Sequence, residues 1–428
     1  MTSRLLLRGG CVLTMGAKAS NLTEGDVLID GAEIAEVGRS IHARDAEVVD
    51  ATDTIVMPGF VDTHRHAWTS LFRNLGESGE GSGSAGVASH YGVDDVYAGT
   101  LVGLLGAAEA GITTVVDWCE LSLDDDGADA LVRAHDDSGL RTVLVLAGPG
   151  WSGRERLVWL AERAGETTTV AFGSVRTEPD QVAEDWALAR AMGLRVHVHA
   201  AEGAPGPGWV RELASLGLLG DDVTMIHRSA IDAADVEAIA SSGAGVSLSP
   251  SSEMATGLGA PPIQELMDHD VRPGLGIDLE RLAPGDMFAQ MRQTISLQHA
   301  TVFDRKLRGK GSLPRLMSTR DVVRAATVEG ARVAGLGGVT GSLEPGMAAD
   351  VIVLRTDRPN IWPVNDPIGA VVWGMDTSNI DRVVVGGRTI VADGTLEADV
   401  DEVRAIALLA RERVATASGL ASSSGSRR

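Results

Sequence analysis

The spacing of hydrophobic and polar positions changes near residue 59. Before it, short apolar runs such as 27–29 and 34–37 are separated by turn residues, among them the pair Asp30-Gly31, which predicts a small layer of β-strands. After it, apolar runs of strand length alternate with amphipathic segments of helical length. This alternation is typical of βα units arranged around a parallel sheet.

Eight apolar runs follow one another in this second region. They cover residues 60–66, 112–119, 142–147, 168–173, 196–202, 223–227, 245–249 and 273–278. Amphipathic segments such as 182–192 and 232–241 follow them. Eight repeats favour a closed barrel over an open sheet, so we predict an α/β fold of the (β/α)8 TIM barrel type.

Both ends of the chain are expected to contribute to a second domain. The β pattern returns at residues 346–354 and 380–390. Residues 1–58 and 343–397 are therefore predicted to form one small β-sandwich domain, beside a barrel that spans residues 59–342.

Three further segments complete the predicted organisation. Ser318 occupies a capping position and opens a helix that should end near the glycine-rich residues 335–338. Residues 398–428 should form a C-terminal helix and a disordered tail. The Gly/Ser-rich stretch 76–87 follows the first barrel strand and is interpreted as a solvated spacer or, alternatively, as a lid over the barrel mouth.

The composition narrows the class of function. A formal net charge of −22 repels phosphate backbones and anionic membrane surfaces, so we expect neither nucleic acid nor a membrane as a partner. Only Cys11 and Cys119 are cysteines, and we find neither a signal-peptide core nor a run of about 18 apolar residues. A cytoplasmic location is the expectation that follows.

The pair His64 and His66 ends the first predicted barrel strand. Residues i and i+2 of a strand point the same way, so both imidazoles can reach one cation, at about 2.0–2.1 Å for zinc. An isolated His-x-His pair is weak evidence, since such histidines often lie on the surface or in the core. The position of this pair at the end of a barrel strand strengthens the evidence for a metal site, because barrel active sites lie at the carboxyl ends of the strands.

Three more predicted strands end on groups suited to metal chemistry. His199 and Glu202 end the fifth run, His227 ends the sixth and Asp278 ends the eighth. This coincidence favours a metal site over core histidines and helix-capping carboxylates. His197 shares the face of His199 one residue pair deeper, and it is equally compatible with packing inside the barrel.

These motifs resemble those of the amidohydrolase superfamily, and within it the cytosine deaminase-like branch, which includes guanine and adenosylhomocysteine deaminases and the triazine aminohydrolases and chlorohydrolases. The resemblance extends over nearly the whole chain and is carried by residues 56–66, 199–202 and 341–354. It implies that the metal ligands are four side chains and that a metal-activated water is the nucleophile. The implied ligands are His64, His66, His199 and Asp278.

The resemblance also implies the catalytic roles. His227 would polarise or orient the water and the substrate, and Glu202 would carry protons to the ring nitrogen and the leaving group. Asp278 would accept the proton of the nucleophile, since a carboxylate beside a cation stays ionised.

The number of metal ions follows from an absence in the sequence. Two-metal members of this superfamily generally bridge their ions with a carboxylated lysine on the fourth strand. No lysine lies between Lys18 and Lys306, and the fourth run, 168–173, holds no acidic residue. We therefore expect one divalent ion, zinc first, with iron as the alternative because three histidines and a carboxylate suit both.

Several side chains near the strand ends are predicted to contact the substrate. A tryptophan offers a flat face to a heterocycle, and Arg or Glu can pair with ring substituents. Each is also compatible with packing or with a surface position. The predicted contacts are Trp68, Arg73, Trp118, Trp151 and Glu253, and Glu120 and Ser251 are weaker candidates at the ends of the second and seventh strands.

The function predicted from these features is hydrolytic deamination at a C–N bond of an N-heterocyclic or amidine-type small molecule. The alternative within enzymes is hydrolysis of a C–Cl, N-alkylamine or cyclic amide bond in a larger heterocycle. A non-catalytic metal-binding scaffold is the alternative from another class. The expected partner is the small-molecule substrate, and a homodimer is the prior expectation for the assembly.

Overall fold

The computed structural model describes residues 4–17, 20–75, 84–148, 154–176, 178–199, 206–227 and 231–420. Two sheets organise this part of the chain. One is an eight-stranded parallel sheet and the other is a nine-stranded, mostly antiparallel sheet.

The parallel sheet contains the eight predicted apolar runs in chain order. Its strands are β6 Phe60–Arg65, β7 Ile112–Cys119, β8 Arg141–Ala147, β9 Thr168–Ser174, β10 Val196–His199, β11 Val223–Ile226, β12 Gly245–Leu248 and β13 Gly274–Leu275. The last strand returns to the first, because the Asp278 amide donates to the His64 carbonyl at 2.8 Å and the His66 amide donates to the Asp278 carbonyl at 3.2 Å. These bonds close the sheet, which confirms the predicted (β/α)8 barrel.

The eighth strand is much shorter than the run that predicts it. Only Gly274 and Leu275 form it, although residues 273–278 are apolar enough for a longer strand. The backbone at Gly276 runs very close to the first strand, where a Cβ would lie 2.9 Å from the His64 carbonyl oxygen and 3.0 Å from its nitrogen. Glycine is therefore needed where the barrel closes.

The second sheet joins the two ends of the chain. Its strands are β1 Arg4–Val12, β2 Leu22–Asp30, β3 Glu33–Gly38, β4 Glu47–Asp50, β5 Thr54–Pro58, β14 Val351–Arg355, β15 Ile380–Val385, β16 Arg388–Ala392 and β17 Thr395–Leu396. Strand β14 pairs antiparallel with β5, and Leu7, Val27, Val56, Val353 and Val384 share one buried core. This sheet confirms the small β domain built from both ends, while its boundaries at 1–58 and 343–397 stay predictions.

Helices follow the barrel strands and cover their outer face. The helices of the described residues are α1 Ser84–Ala88, α2 Val93–Glu109, α3 Asp125–Ser138, α4 Arg154–Ala161, α5 Pro179–Ala191, α6 Trp209–Ser215, α7 Ala233–Ser242, α8 Pro250–Ala255, α9 Ile263–Asp268, α10 Met287–Leu307, α11 Thr319–Ala325, α12 Val328–Val333, α13 Pro367–Trp373 and α14 Val400–Ala417. Short 3₁₀ helices span Ala67–Phe72 and Thr377–Asn379. None of the helices that the structure describes is long and apolar enough to cross a lipid bilayer.

The helix predicted to open at Ser318 is two short helices. The Ser318 hydroxyl accepts from the Asp321 amide and caps α11 as expected. Thr327 then leaves the helical region, with φ −134° and ψ −100°, before α12 begins. At α12 the backbone of Gly330 passes the strand β6, where an added Cβ would lie 3.1 Å from the Val61 Cβ. Packing against the barrel therefore decides the break, and the local pattern does not show it.

Some predicted segments fall partly outside the described residues. Of the Gly/Ser-rich stretch 76–87, residues 76–83 lie outside them, and Ser84 begins α1. Of the C-terminal segment 398–428, residues 421–428 lie outside them. The helix α14 packs beside α2, and the Arg413 guanidinium donates from Nε to the Asp95 carboxylate at 3.0 Å.

Candidate active site

One extra residue in the first barrel strand directs its side chains. Asp62 lies opposite Val115 and Arg65 lies opposite Asp117, so three steps on β6 match two on β7. Such a β-bulge breaks the simple alternation of a strand and redirects its side chains. Here it places Arg65 against acidic groups behind the strand, while His64 and His66 converge in the barrel mouth.

The predicted metal ligands come together at the carboxyl ends of the barrel strands. Ligand atoms of His64, His66, His199 and Asp278 all lie within 4.8 Å of one another. Asp278 Oδ1 lies 3.4 Å from His64 Nε2 and 3.3 Å from His66 Nε2. The His199 ring centroid lies 5.1 Å from that of His64 and 5.6 Å from that of His66.

This donor set fits a divalent cation. Two ligand atoms bonded to one tetrahedral ion at about 2.0–2.2 Å lie roughly 3.3–3.6 Å apart, and the Asp278 Oδ1 distances to the two imidazoles fall in this range. Among the described residues, His64 Nε2 is buried and has no hydrogen-bond partner. Buried polar atoms are normally paired, so an ion between these groups would satisfy a nitrogen that the protein leaves unpaired.

The second oxygen of Asp278 faces a different set of groups. Asp278 Oδ2 lies 3.5 Å from His227 Nε2, and the Ser252 hydroxyl donates to it. Both His227 and Asp278 have left-handed backbone conformations, with φ of 53° and 66°. Non-glycine residues adopt this region at an energetic cost, and such strain concentrates at functional sites. The strained backbone supports a functional role for this pair.

Two histidines of the cluster are each bound from behind by a carboxylate. His66 Nδ1 lies 3.1 Å from Glu120 Oε2, and His227 Nδ1 lies 3.1 Å from Glu253 Oε1. An ionised carboxylate only accepts hydrogen bonds, so each Nδ1 carries a proton. The Nε2 atoms are thereby directed toward Asp278, in the arrangement that carboxylates impose on metal-binding histidines.

Neighbouring carboxylates favour the protonated form of His66 and His227, whereas burial disfavours it at His64. Burial, together with the neighbouring His227 and His66, lowers the pKa of His64 to about 3. Burial also lowers the pKa of His66, but Glu120 and Asp278 outweigh it and raise the pKa to about 10. Burial likewise opposes the protonation of His227, whose pKa Asp278 and Glu253 raise to about 9.

The other two predicted ligands, His199 and Asp278, also have shifted pKa values. Burial and the adjacent imidazoles hold the pKa of His199 well below its usual value. Burial raises the pKa of Asp278, but the facing imidazoles, His227 first, outweigh it and hold that pKa well below the ordinary range. The cluster is thus a buried ring of nitrogen donors around an anionic carboxylate, and the carboxylates behind it stabilise a cation there.

A buried ion network supports the strand that carries His64 and His66. Arg65 is completely buried and donates to Asp62 Oδ2 at 2.7 Å and to Glu280 Oε1 at 2.6 Å. Glu280 also accepts from the Ser70 hydroxyl at 2.6 Å. Burial raises the pKa of Asp62 to about 6, against the opposing effect of Arg65. The network ties the end of the first strand to the segment that follows the eighth.

Two of the three tryptophans predicted to contact the substrate, Trp68 and Trp118, are buried. Trp118 is 2% exposed, and its ring lies against His64 and His199, with centroids 6.0 Å and 5.1 Å apart. Trp68 is fully buried, contacts Tyr91 edge to face and donates from Nε1 to Glu120. Both rings pack against the side chains of the site, and their predicted contact with the substrate stays a prediction.

Two predicted charged contacts bind other groups of the protein. Glu253 is fully buried behind His227 and accepts from the Ser249 amide at 2.7 Å, an arrangement that orients the imidazole, and its predicted contact with the substrate stays a prediction. Arg73 donates to Glu280 and to the Val102 carbonyl. Its guanidinium is engaged in the ion network, and its predicted contact with substrate stays a prediction.

Two predicted residues lie outside the described part of the chain. They are Glu202, the expected proton carrier, and Trp151. His197 is fully buried, and neither ring nitrogen has a hydrogen-bond partner among the described residues. It lies in the barrel interior, as one of its two interpretations expects.

Sequence reasoning missed the supporting groups of the site. Glu120 stood out only as the residue after the second strand, and its bond to His66 is not visible in the sequence. Ser252 and Glu280 were not marked at all. Ser252 lies in the Ser-Pro-Ser-Ser-Glu segment that follows the seventh strand, and this polar run at a barrel strand end is the signal that points to it.

The fold and the site together define a class of protein: a barrel hydrolase with a metal-type centre at the carboxyl ends of its strands. The model of the Amidohydrolase family matches residues 55–390. The chain belongs to this family. Membership confirms the prediction of a metal-dependent hydrolase that acts on carbon–nitrogen bonds other than peptide bonds.

Individual relatives are similar over nearly their whole length. A 5-methylthioadenosine/S-adenosylhomocysteine deaminase of Symbiobacterium thermophilum is 28% identical over 424 residues, which cover 91% of this chain and 94% of the relative. The structure of an adenosine deaminase from Xanthomonas campestris with bound zinc superposes with a TM-score of 0.83 at 22% identity, covering 97% of this chain and 99% of that one.

A third similar protein carries a different name. The zinc complex of atrazine chlorohydrolase from Arthrobacter aurescens superposes with a TM-score of 0.83 at 22% identity, covering 95% of this chain and all of that one. The two solved structures bear on the fold alone. The cluster of three histidines and one aspartate, in a chain of this family, indicates a divalent metal as the cofactor.

Proposed function

We propose that this protein is a zinc-dependent deaminase that hydrolyses the exocyclic C–N bond of the adenine ring in an adenosine derivative. The observation that carries the proposal is the convergence of His64, His66, His199 and Asp278 beside His227. The similarity to a 5-methylthioadenosine/S-adenosylhomocysteine deaminase over 91% of the chain supports the substrate class.

The four ligand side chains would hold one divalent ion. Three imidazole nitrogens and one carboxylate oxygen are a donor set that zinc accepts. The stretch between Lys18 and Lys306 has no lysine, which argues against the bridging group of a two-metal site. When bound, the ion lowers the pKa of a coordinated water to about 7 and so supplies the nucleophile at neutral pH.

The protein groups around the ion divide the proton transfers. Asp278 has one oxygen toward the ligand histidines and the other toward His227 and Ser252, so it can accept a proton without leaving its place. Glu253 fixes the orientation of His227, whose Nε2 faces Asp278. Glu202, three residues after His199 in the sequence, is proposed to deliver its proton to the ring nitrogen, and the proton that Asp278 takes from the water is then passed to the amino group, which leaves as ammonia.

Release of ammonia tests this proposal. Zinc-loaded protein is incubated with 5-methylthioadenosine, S-adenosylhomocysteine and adenosine, and ammonia and the inosine product are measured. The expected result is stoichiometric ammonia from at least one of these, released about 10²–10⁴-fold more slowly by the Asp278→Asn variant. Atrazine serves as a control for the chlorohydrolase alternative through chloride release. Chloride from atrazine with no ammonia from any adenosine compound would overturn the proposal.

A further inference from the structure

Glu120 is the one of the two histidine-bound carboxylates that is open to solvent. It follows β7 directly, so it lies at the carboxyl ends of the barrel strands, where the metal-type cluster lies. Its side chain is 30% exposed, whereas that of its partner His66 is 8% exposed. A partly exposed carboxylate at this position lies at the end of the barrel from which substrates enter.

The two oxygens of Glu120 have different surroundings. Oε2 lies 3.1 Å from His66 Nδ1 and 3.3 Å from the Nε1 of Trp68. Hydrogen bonds from the described residues reach only this oxygen, and none reaches Oε1. Trp68 cannot move easily, because its ring is buried against Tyr91 and the Tyr91 hydroxyl donates to its carbonyl at 3.0 Å. The carboxylate is therefore held by one oxygen and has its other oxygen available.

Glu253 provides the contrasting case in the same cluster. It binds His227 Nδ1 at the same 3.1 Å, but its side chain has no exposed surface and the Ser249 amide also donates to it. It can orient its imidazole, and it presents no exposed surface to a substrate in this structure. Any effect that Glu120 has beyond the orientation of His66 will therefore be absent at Glu253.

We propose, on the basis of the proposed function, that Glu120 determines substrate specificity by accepting a hydrogen bond at Oε1 from a donor on the heterocycle. A carboxylate has no donor of its own, and its bonds to N–H groups are strengthened by charge. Substrates whose heterocycle carries an N–H donor that reaches Oε1 are then favoured, and substrates that carry a halogen at the same position are rejected.

The position of Glu120 limits where that donor lies. One imidazole ring, that of His66, separates Glu120 from the point where the ligand atoms converge. The group that reaches Oε1 is therefore attached to the heterocycle itself and not to a distant part of the substrate. For a purine, ring positions 2 and 8 are the carbons that can carry it.

Matched pairs of nucleosides test this inference. We would measure kcat/KM for 2-aminoadenosine against 2-chloroadenosine, and for 8-aminoadenosine against 8-chloroadenosine, with zinc-saturated wild type and Glu120→Gln. The amino-to-chloro ratio of at least one pair should fall by about tenfold or more in Glu120→Gln, because the amide presents a donor where the carboxylate presents an acceptor. Dividing the ratios of the two proteins cancels the intrinsic reactivity of each nucleoside.

Glu253→Gln is the matched control. It should lower kcat for both members of a pair while leaving their ratio as in wild type. Equal ratios in wild type and Glu120→Gln for both pairs would overturn the inference, and so would an equal change in Glu253→Gln.

Failure of the proposed function gives a distinct result. If zinc-loaded wild type releases no ammonia from any of these nucleosides, the adenosine deaminase proposal fails. The inference about Glu120 is then decided by calorimetric binding of the same four compounds to wild type and Glu120→Gln. A binding ratio that does not change with the substitution, or no binding of any compound, overturns it.

Discussion

The site contains two carboxylate–histidine pairs that share one geometry and differ in their surroundings. Glu120 binds His66 and Glu253 binds His227, each at 3.1 Å through Nδ1. Glu120 is partly exposed at the barrel mouth, and Glu253 is sealed behind its histidine. The same chemical contact can therefore both orient an imidazole and meet a substrate at one place, and only orient an imidazole at the other.

The two pairs also meet different atoms of one residue. Nε2 of His66 lies 3.3 Å from Asp278 Oδ1, while Nε2 of His227 lies 3.5 Å from Oδ2. In the proposed mechanism, the Glu120–His66 pair meets the oxygen of Asp278 that binds the metal, and the Glu253–His227 pair meets the oxygen that accepts a proton. Substitutions that act on one oxygen or on both distinguish these two roles.

The largest loss of activity is expected from substitution of Asp278, which faces both carboxylate–histidine pairs. Asp278→Asn removes the charge that faces both imidazoles, so it should weaken metal binding and remove the proton acceptor together. We expect a loss of kcat of about 10²–10⁴-fold, measured by ammonia release with zinc in excess. A variant that keeps wild-type turnover would show that the two sides do not depend on this carboxylate.

Removal of the buried cation behind His66 should have the next largest effect. Arg65→Met leaves Asp62 buried without its cation and leaves Glu280 with Arg73 as its remaining cation, and breaking a buried ion pair in this way destabilises a protein by about 3–5 kcal/mol. Urea unfolding of the zinc-loaded variant measures this loss. The matched control is Arg163→Met, which removes a pair in which both side chains are about half exposed, and it should change stability little. Equal effects of both substitutions would contradict a structural role for the network.

Substitution in the buried Glu253–His227 pair should lower kcat and leave KM unchanged. Glu253→Gln keeps the shape of the side chain but removes the charge that fixes the Nδ1 proton of His227. We expect about a 10–100-fold loss of kcat with an unchanged KM, as for other carboxylates that orient a functional histidine. Steady-state kinetics on one good substrate provide the measurement. A change confined to KM would instead place Glu253 in contact with the substrate.

Substitution in the partly exposed Glu120–His66 pair should change the turnover of a single substrate least. It should change the preference between substrates most. Glu120→Gln keeps an acceptor oxygen for His66 and Trp68, so we expect zinc affinity to fall by no more than about tenfold. Competition with a zinc chelator measures this. A loss of zinc affinity larger than that of Glu253→Gln, with no change in specificity, would make Glu120 a support for the metal ligand alone.

The sequence was sufficient to predict the parts of the site that depend on local order along the strands. His64 and His66 follow from the two-residue period of a strand and from its place at the start of eight repeats. His199 and Asp278 follow from the ends of two later repeats. The structure brings the four together within 4.8 Å, although their role as ligands stays a proposal.

The parts that the sequence did not predict depend on contacts between distant segments. Arg65 and Glu280 are 215 residues apart, and no local pattern links them. The sequence places Trp118 and Glu253 at or after the ends of barrel strands, but it does not show that packing against the histidines buries both. The break at Thr327 likewise arises where the chain packs against the barrel. Burial and side-chain direction at strand ends are set by tertiary packing, which residue periodicity does not encode.

The measurement that tests the central claim most directly is ammonia release before and after removal of the metal. The protein is stripped with a chelator, assayed on 5-methylthioadenosine or whichever adenosine derivative the wild type accepts, and assayed again after stepwise addition of zinc. If the protein is a zinc-dependent deaminase, the stripped protein releases no ammonia, and full activity returns at one zinc per chain. Ammonia release at an undiminished rate from the metal-free protein would contradict it.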